Sequence, residues 1–516
     1  MRSQGELEQI PQEVVKQISE LETRIMTDIV ERIHKNGFSS ASSDWQITRL
    51  QQLGESDQNI QKMIRQALGD IDVSLDKIFS DTVYEEYYGH ARSYKLFGRE
   101  QIPFEQNTQL QELIGGIRQQ TGDTFRNMTK SMGFAIKDPV TGKITYSPLM
   151  KFYQDTLDAA MWDLLSGGFD FNTILNRTVS RMTTSGIRWI DYDSGNRNRV
   201  DVAARRAILT GFRQIQGKIN EQVAQELETD RYEVSAHVGA RPTHQPWQGK
   251  IWTMQQLIDV CGLETPGMGT GLCGWNCYHT YRAFPPGSIR TYTDEQLEQM
   301  IKEENTPKEY KGKEYTTYEA LQKQRYMERC MRKTRQEIEL LKLGEAPEQE
   351  IILKKAKYQG QLQQYREFSK NMGLPEEMKR VYQDGLRGKF TPTKTEQKIL
   401  EESVINDKIK ADMKATGLRG EINLKPEIPD VSKLSFDEYH INQERQHNVT
   451  ELEAKSYIQN AVFSTTKWKG KFTNYYSCEG AAFVDNEAQH IKTAFKKEQY
   501  DEKVTAAMEV LKNGRT

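Results

Sequence analysis

Apolar positions recur at helical spacing through most of the first 230 residues. Ile18, Leu21, Ile25, Ile29 and Ile33 step by three, four, four and four, and Asn36-Gly37 follows as a stop. Residues 10–36 are therefore predicted to form an amphipathic helix. A second stripe after Asp201 runs through Ile208, Phe212, Ile215, Ile219, Val223 and Leu227. No proline falls between Pro11 and Pro103 or between Pro148 and Pro242. Such gaps permit long helices, because an interior proline removes a hydrogen bond and clashes with the preceding turn. Within this region DPVTGKITYS (138–147) reads as a hairpin or loop.

The period then changes. Tyr232, Val234, Ala236 and Val238 alternate with Glu233, Ser235 and His237, which predicts a strand with one buried face, broken at Gly239. Thr253–Val260 is a short predicted helix, and GLETPGMGTGLCGWN (262–276) a loop. From Thr293 to about Lys425, Lys, Glu, Gln and Arg dominate. Helices over 316–342 and 348–371, split by Gly344–Pro347, predict an antiparallel hairpin. Ile399–Met413 adds a shorter helix, and 420–435, with Pro426 and Pro429, reads as a linker.

Beyond Ser435, Thr450 and Glu453 form a capping box before a helix expected to run through Val462. TNYYSCEGAAFVD and HIKTAF look like strands turning at Cys478–Gly480 and Asp485-Asn486, and Asp501–Leu511 closes the chain as a helix. The predicted architecture is multidomain and mainly α. It has a helical region over 1–230, a compact α+β domain over 231–292, a charged helical insertion and linker over 293–434, and a small α+β domain over 435–516.

Composition sharpens this picture. A chain of 516 residues suggests about three domains, at roughly 100–200 residues each. With 36 % hydrophobic and 28 % charged residues, elongated and well-solvated helices are expected rather than one large core. A net charge of −2 gives no global attraction to nucleic acid or an acidic membrane. The N-terminus lacks a signal-peptide core and no apolar run approaches a membrane span, so synthesis and folding in a cytosol are expected. Five cysteines, an odd number, do not resemble a disulfide framework. Two local clusters stand out. Tyr84, Tyr87 and Tyr88 with His90 could be a binding surface, though half-buried helix packing is the commoner reading. Arginines in RTVSRMTTSGIRW (177–189) and at 197, 199, 205 and 206 could face DNA or an acidic partner, though a solvated helix face is commoner.

The stretch 232–287 holds three of the eight histidines, three of the five cysteines and five of the fifteen prolines. His237, His244, Cys273, Cys277 and His279 are of the types that bind zinc tetrahedrally, although their spacing follows no standard zinc-finger rule. The alternative is that the cysteines are small buried residues and the histidines hydrogen-bond backbone. If a metal is held, its expected role is structural, since no glutamate sits nearby in a general-base motif. A second constellation, His440, Arg445, His447, Tyr475 and Thr493, offers an acid or base, a cation and hydroxyls, as metal-independent RNA cleavage requires. Lys467, Trp468, Lys469 and Lys471 add charge and a stacking surface for single-stranded RNA; the alternative is an inactive interaction domain. Phosphate-loop, HExxH and GxSxG motifs are absent from the sequence.

The run SAHVGARPTHQPWQG (235–249), with CGWNCYH (273–279) and FPPG (284–287), closely resembles the signature of the phage minor capsid protein 2 family. The resemblance covers roughly the first 300 residues. It implies a tailed-phage or prophage head protein in the virion, near the portal, assembled in the bacterial cytoplasm with the portal and major capsid proteins. The family is distantly similar to MuF-like head morphogenesis proteins, which often carry an Arg-Thr-Cys-type segment followed by a Cys-x-Cys pair. Arg241, Thr243 and His244, then Cys277 and His279, take those places, so the likeness implies a structural zinc. The last domain resembles the barnase/EndoU/colicin/RelE-like RNase fold in His440-Ile441 with Arg445, Tyr475-Tyr476, GAAFVD and Ile491–Phe495. That resemblance implies RNA cleavage by His440, Arg445 and Thr493.

Overall fold

The computed structural model describes residues 2–35, 43–137, 141–152, 154–156, 159, 171–190, 197–264 and 269–514. The protein is multidomain and mainly α, with small α+β parts, and divides into two compact units, Met1–Thr391 and Pro392–Thr516.

The first unit opens with a short helix α1 (Gln4–Gln9), started by a Ser3–Glu6 capping box, and the amphipathic α2 (Gln12–Lys35). There follow α3 (Ser43–Tyr88), α4 (Thr108–Lys130), α5 (Phe171–Ser185) and α6 (Val200–Glu226). The predicted apolar stripes are the packed faces. Ile18, Leu21, Ile25 and Ile29 of α2 share one core with Ile71, Leu75 and Phe79 of α3 and Ile208, Ile215 and Ile219 of α6. The hairpin expected near 138–147 is β1 (Met132–Lys137) and β2 (Ile144–Pro148); residues 138–140 lie outside the described residues. It belongs to an antiparallel sheet of order β2-β1-β3-β4, with β3 at Ile187–Ile190 and β4 at Arg197–Arg199.

A smaller antiparallel sheet, β6-β5-β7, comprises β5 (Arg231–Val234), β6 (Ile251–Thr253) and β7 (Tyr281–Ala283). The alternation expected over 232–238 is not realised. The strand stops at Val234, Glu233 and Ser235 are buried, and Val238 is exposed. The central strand β5 is covered on both faces. Glu233 accepts from the Thr291 backbone and hydroxyl at 2.6 and 3.1 Å, which compensates its burial.

A short antiparallel pair, β8 (Lys308–Tyr310) and β9 (Lys313–Tyr315), leads into the helical hairpin, which forms as predicted from α7 (Thr317–Leu343) and α8 (Glu348–Met372). It is not a solvated appendage, however. Leu340 and Leu341 join the core of α2 and α6, and Arg335, Glu328 and Glu337 are buried. Many charged residues here are inside and paired, so a polar composition coexists with a large core. Arg335 donates to both carboxylate oxygens of Asp384 at 2.7 and 3.1 Å. The expected solvated arginine face fails likewise for Arg199, which pairs with buried Glu22 and Asp201. Among the tyrosines Tyr87 is buried and bonds the Ile102 carbonyl, whereas Tyr84 is exposed.

In the second unit a six-stranded sheet has the order β10-β12-β13-β14-β15-β11, antiparallel except where β11 (Ser435–Phe436) meets β15 (His490–Lys496). The others are β10 (Glu421–Asn423), β12 (Phe463–Lys467), β13 (Phe472–Tyr476) and β14 (Gly480–Asp485). Helices α9 (Lys394–Ala415) and α11 (Glu502–Gly514) share the core of one face, with Tyr476 and Ala481. The other face packs under α10 (Glu451–Gln459), with Tyr475, Ala482 and Ala494. Two expectations are corrected. The stretch 420–435 is no linker, because Ile422 and Leu424 are buried and β10 pairs with β12. The helix after Thr450 stops at Gln459, and Phe463 begins a strand the polar FSTTK pattern concealed.

Candidate metal centre

The centre is built where β5 and β7 meet the two irregular segments that follow β5 and precede β7. Ser235 ties them together: its amide donates to the Thr280 carbonyl at 2.8 Å and its hydroxyl accepts from the Thr280 amide at 2.9 Å. A turn follows, in which the amides of His244 and Gln245 donate to the Arg241 carbonyl. The Arg241 guanidinium donates to the carbonyls of Thr270 and Trp275, stapling the second segment to the first. From beneath, Arg213 of α6 donates to the Cys273 and Gly274 carbonyls at 3.2 and 2.6 Å. Cys273 and Asn276 adopt left-handed backbone, at φ 57° and 55°. The glycines here serve backbone packing: a Cβ on Gly271 would lie 2.1 Å from the Gly262 carbonyl oxygen.

This scaffold brings three of the five predicted ligands together. One ligand atom each from His244, Cys277 and His279 lies within 4.8 Å of the others, and all three side chains are buried. Cys277 Sγ is 3.4 Å from His279 Nδ1. His279 Nε2 is 2.9 Å from Gln248 Oε1, an acceptor that also receives the His237 amide. That contact assigns the proton to Nε2 and leaves the Nδ1 lone pair facing the thiol. His244 Nε2 lies 3.0 Å from the Thr270 carbonyl, so its Nδ1 carries the lone pair too. Burial lowers the pKa of His279 and takes that of His244 down to about 4, so both are neutral near pH 7, as ligation requires. Burial raises the Cys277 thiol, so a metal would have to displace its proton.

The other two candidates flank the group. Cys273 donates through Sγ to the His279 carbonyl at 3.4 Å, and burial pushes its thiol up to about 12. The His237 ring lies 4.3 Å from that of His279; its Nδ1 is 3.0 Å from the Val238 carbonyl, and its Nε2 is enclosed without a partner among the described residues. Sequence reasoning missed Gln248, although it lies inside the quoted motif; an amide side chain four residues after His244 was the available signal.

The second constellation is not assembled as one site. Tyr475 stands opposite Ala482, which stands opposite Ala494, so Thr493 points to the other face of the sheet. The Tyr475 hydroxyl donates to the Glu427 carbonyl at 3.1 Å, and Thr493 Oγ1 is enclosed without a partner. His440 sits on a short π-helical segment (Tyr439–Glu444) with Nδ1 2.6 Å from Glu444, and Arg445 follows, exposed. His447 contacts Gln499 at 3.0 Å. Trp468 is exposed at the tip between β12 and β13, flanked by Lys467 and Lys469.

No helix among the described residues is long and apolar enough to cross a membrane. Searches of curated proteins and of solved structures return no match. A family model described as phage minor capsid protein 2 matches residues 3–368, which takes in the α2–α6 body, the candidate metal centre and most of the α7–α8 hairpin. The chain belongs to the phage minor capsid protein 2 family.

Proposed function

We propose that the protein is a structural component of a tailed-phage or prophage head that acts in head morphogenesis at the portal vertex, contacting the portal and major capsid proteins. The family match over 3–368 carries this reading. Docking on a ring of portal subunits asks for surfaces rather than turnover, which suits a helical body held together by buried ion pairs such as Arg335–Asp384 and Arg199–Glu22. The test is co-expression with the portal protein of the same phage. Co-elution with the portal ring in size-exclusion chromatography is expected; separate elution at every salt concentration would refute the portal contact.

Within this reading His244, Cys277 and His279 hold a structural zinc ion, in keeping with the distant likeness to MuF-like proteins. Structural zinc sites are closed by four ligands. His237, whose ring lies 4.3 Å from that of His279 but outside the three-ligand group, would turn its Nε2 inward as the fourth. Zinc supplies cross-linking of the two segments that Arg241 staples. Metal analysis of the purified protein is expected to find about one zinc per chain, lost in His279→Ala.

A second reading, ribonuclease action by residues 392–516, rests on the pairing of His440 with Glu444 beside exposed Arg445. It draws nothing from Tyr475 and Thr493, which face opposite sides of the sheet. Incubating that unit with total RNA in EDTA tests it. Cleavage abolished by His440→Ala supports it, and intact RNA removes it.

A further inference from the structure

Next to the metal centre the first unit contains a cavity of about 540 Å³. Its walls come from α1, the first turn of α2, the start of α6, one side of α7, the segment at Arg380, and the His237–His244 and Asn276–His279 segments, so the candidate metal ligands face it. Six arginines and three carboxylates line it. The carboxylates are already engaged: Glu8 pairs with Arg325 at 3.0 Å and with Arg380, Glu328 with Arg380 at 3.5 Å, and Asp201 with Arg332 at 3.3 Å. The remaining arginines, Arg205, Arg241 and Arg329, enter no ion pair among the described residues. Six positive charges against three negative ones leave a net excess of three.

Arg205 is the most telling of these. Its guanidinium lies 5.3 Å from the Tyr278 ring, and its Nη2 is enclosed without a hydrogen-bond partner among the described residues. A buried guanidinium nitrogen left unsatisfied is costly unless something fills the site. Arg325 also lies 5.5 Å from the same ring, so two cations converge at Tyr278. The planar fork of arginine matches phosphoryl and carboxylate oxygens alike. One carboxylate brings a single charge, whereas linked phosphoryl groups bring several in a small volume.

We infer that this cavity binds a small polyanion carrying linked phosphoryl groups, held by Arg205 with Arg241 and Arg329. Its volume, within the range of small-ligand pockets, suits a di- or triphosphate and excludes a duplex. The inference does not depend on metal at the neighbouring centre or on docking at the portal.

The test uses the full chain, with inorganic tripolyphosphate, a deoxynucleoside triphosphate, citrate and sodium chloride matched for ionic strength. Thermal denaturation and titration calorimetry are read on the parent, Arg205→Met and Arg329→Gln. Tripolyphosphate is expected to raise the first-unit melting temperature by several degrees, with citrate and chloride giving little. A matching rise with the deoxynucleoside triphosphate would identify nucleotides as a source, and a rise with tripolyphosphate alone a free polyphosphate. Arg205→Met should weaken binding at least tenfold. Without ligand it should melt no lower than the parent, because an enclosed guanidinium that enters no ion pair has been removed. Arg329, being exposed, can be changed without loss of folding, and its glutamine variant should weaken binding several-fold. Absence of any shift at millimolar tripolyphosphate, equal shifts with citrate, or undiminished binding in both variants would overturn the inference.

Discussion

The Arg335–Asp384 pair offers the sharpest test of the view that the charged hairpin is part of the body. Both side chains are almost fully enclosed, at 4 % and 1 % exposure. Asp384 accepts twice from Arg335 and once from the Leu386 amide, while the guanidinium also donates to the Leu386 carbonyl and lies 4.1 Å from the Phe390 ring centre. Burial opposes the Arg335 charge, and the bidentate carboxylate more than restores it, so its pKa is raised. Removing one partner strands the other charge in a dry site. Asp384→Leu or Arg335→Met should each destabilise the first unit by about 3–5 kcal/mol. The double variant Arg335→Met/Asp384→Leu should lose far less than the sum, because no stranded charge remains and apolar groups occupy the space. Urea unfolding followed by circular dichroism reads this, with the first-unit transition separated from that of residues 392–516. A change within about 0.5 kcal/mol in either single variant, the range of ordinary surface substitutions, would refute the argument.

Other outcomes follow from the same structure. Zinc affinity should rise with pH, since ligation must displace the raised Cys277 proton; proton release measured during zinc titration should approach one per chain near pH 7 and vanish in Cys277→Ala. Burial lowers His90 and His244 to about 4 from an ordinary value near 6.5. Their contribution is complete above pH ~6.5 and is lost as pH falls towards 4, so in EDTA the first-unit melting temperature should drop across that window and drop less in His90→Gln. Thr493→Val should leave the second unit as stable or stabilise it by up to about 1 kcal/mol, because the hydroxyl it removes is enclosed and unpaired; urea unfolding checks this. Gly271→Ala should disrupt the loop behind Cys273, seen as a lower melting temperature, because its new methyl group meets the Gly262 carbonyl.

Much of this fold was legible in the sequence because helical period, proline gaps and capping boxes are local signals. The stripes of α2 and α6, the α7–α8 hairpin and the Thr450 cap all stand where those signals put them. What escaped is non-local. Glu8 is engaged by Arg380 from the far end of the unit, and Glu22 by Arg199, so composition read as solvated where charges are in fact paired inside. Strand β12 carries a polar FSTTK sequence whose burial comes from both neighbouring layers, and β10 is only three residues long. At the metal centre the motif supplied the residue types, but the division into a three-ligand group with His237 and Cys273 beside it depends on the Gln248 and Thr270 contacts. Sequence spacing does not tell that Tyr475 and Thr493 fall on opposite faces of the sheet, because a strand's register is unknown until its partners are placed.

Quantitative mass spectrometry of purified phage heads, with and without the portal vertex retained, addresses the assembly role directly. The account predicts the full chain in portal-containing heads at a fixed ratio to the portal protein, and its depletion from heads assembled without portal. Heads that contain portal but lack this chain, or a chain spread through the shell regardless of portal, would contradict it.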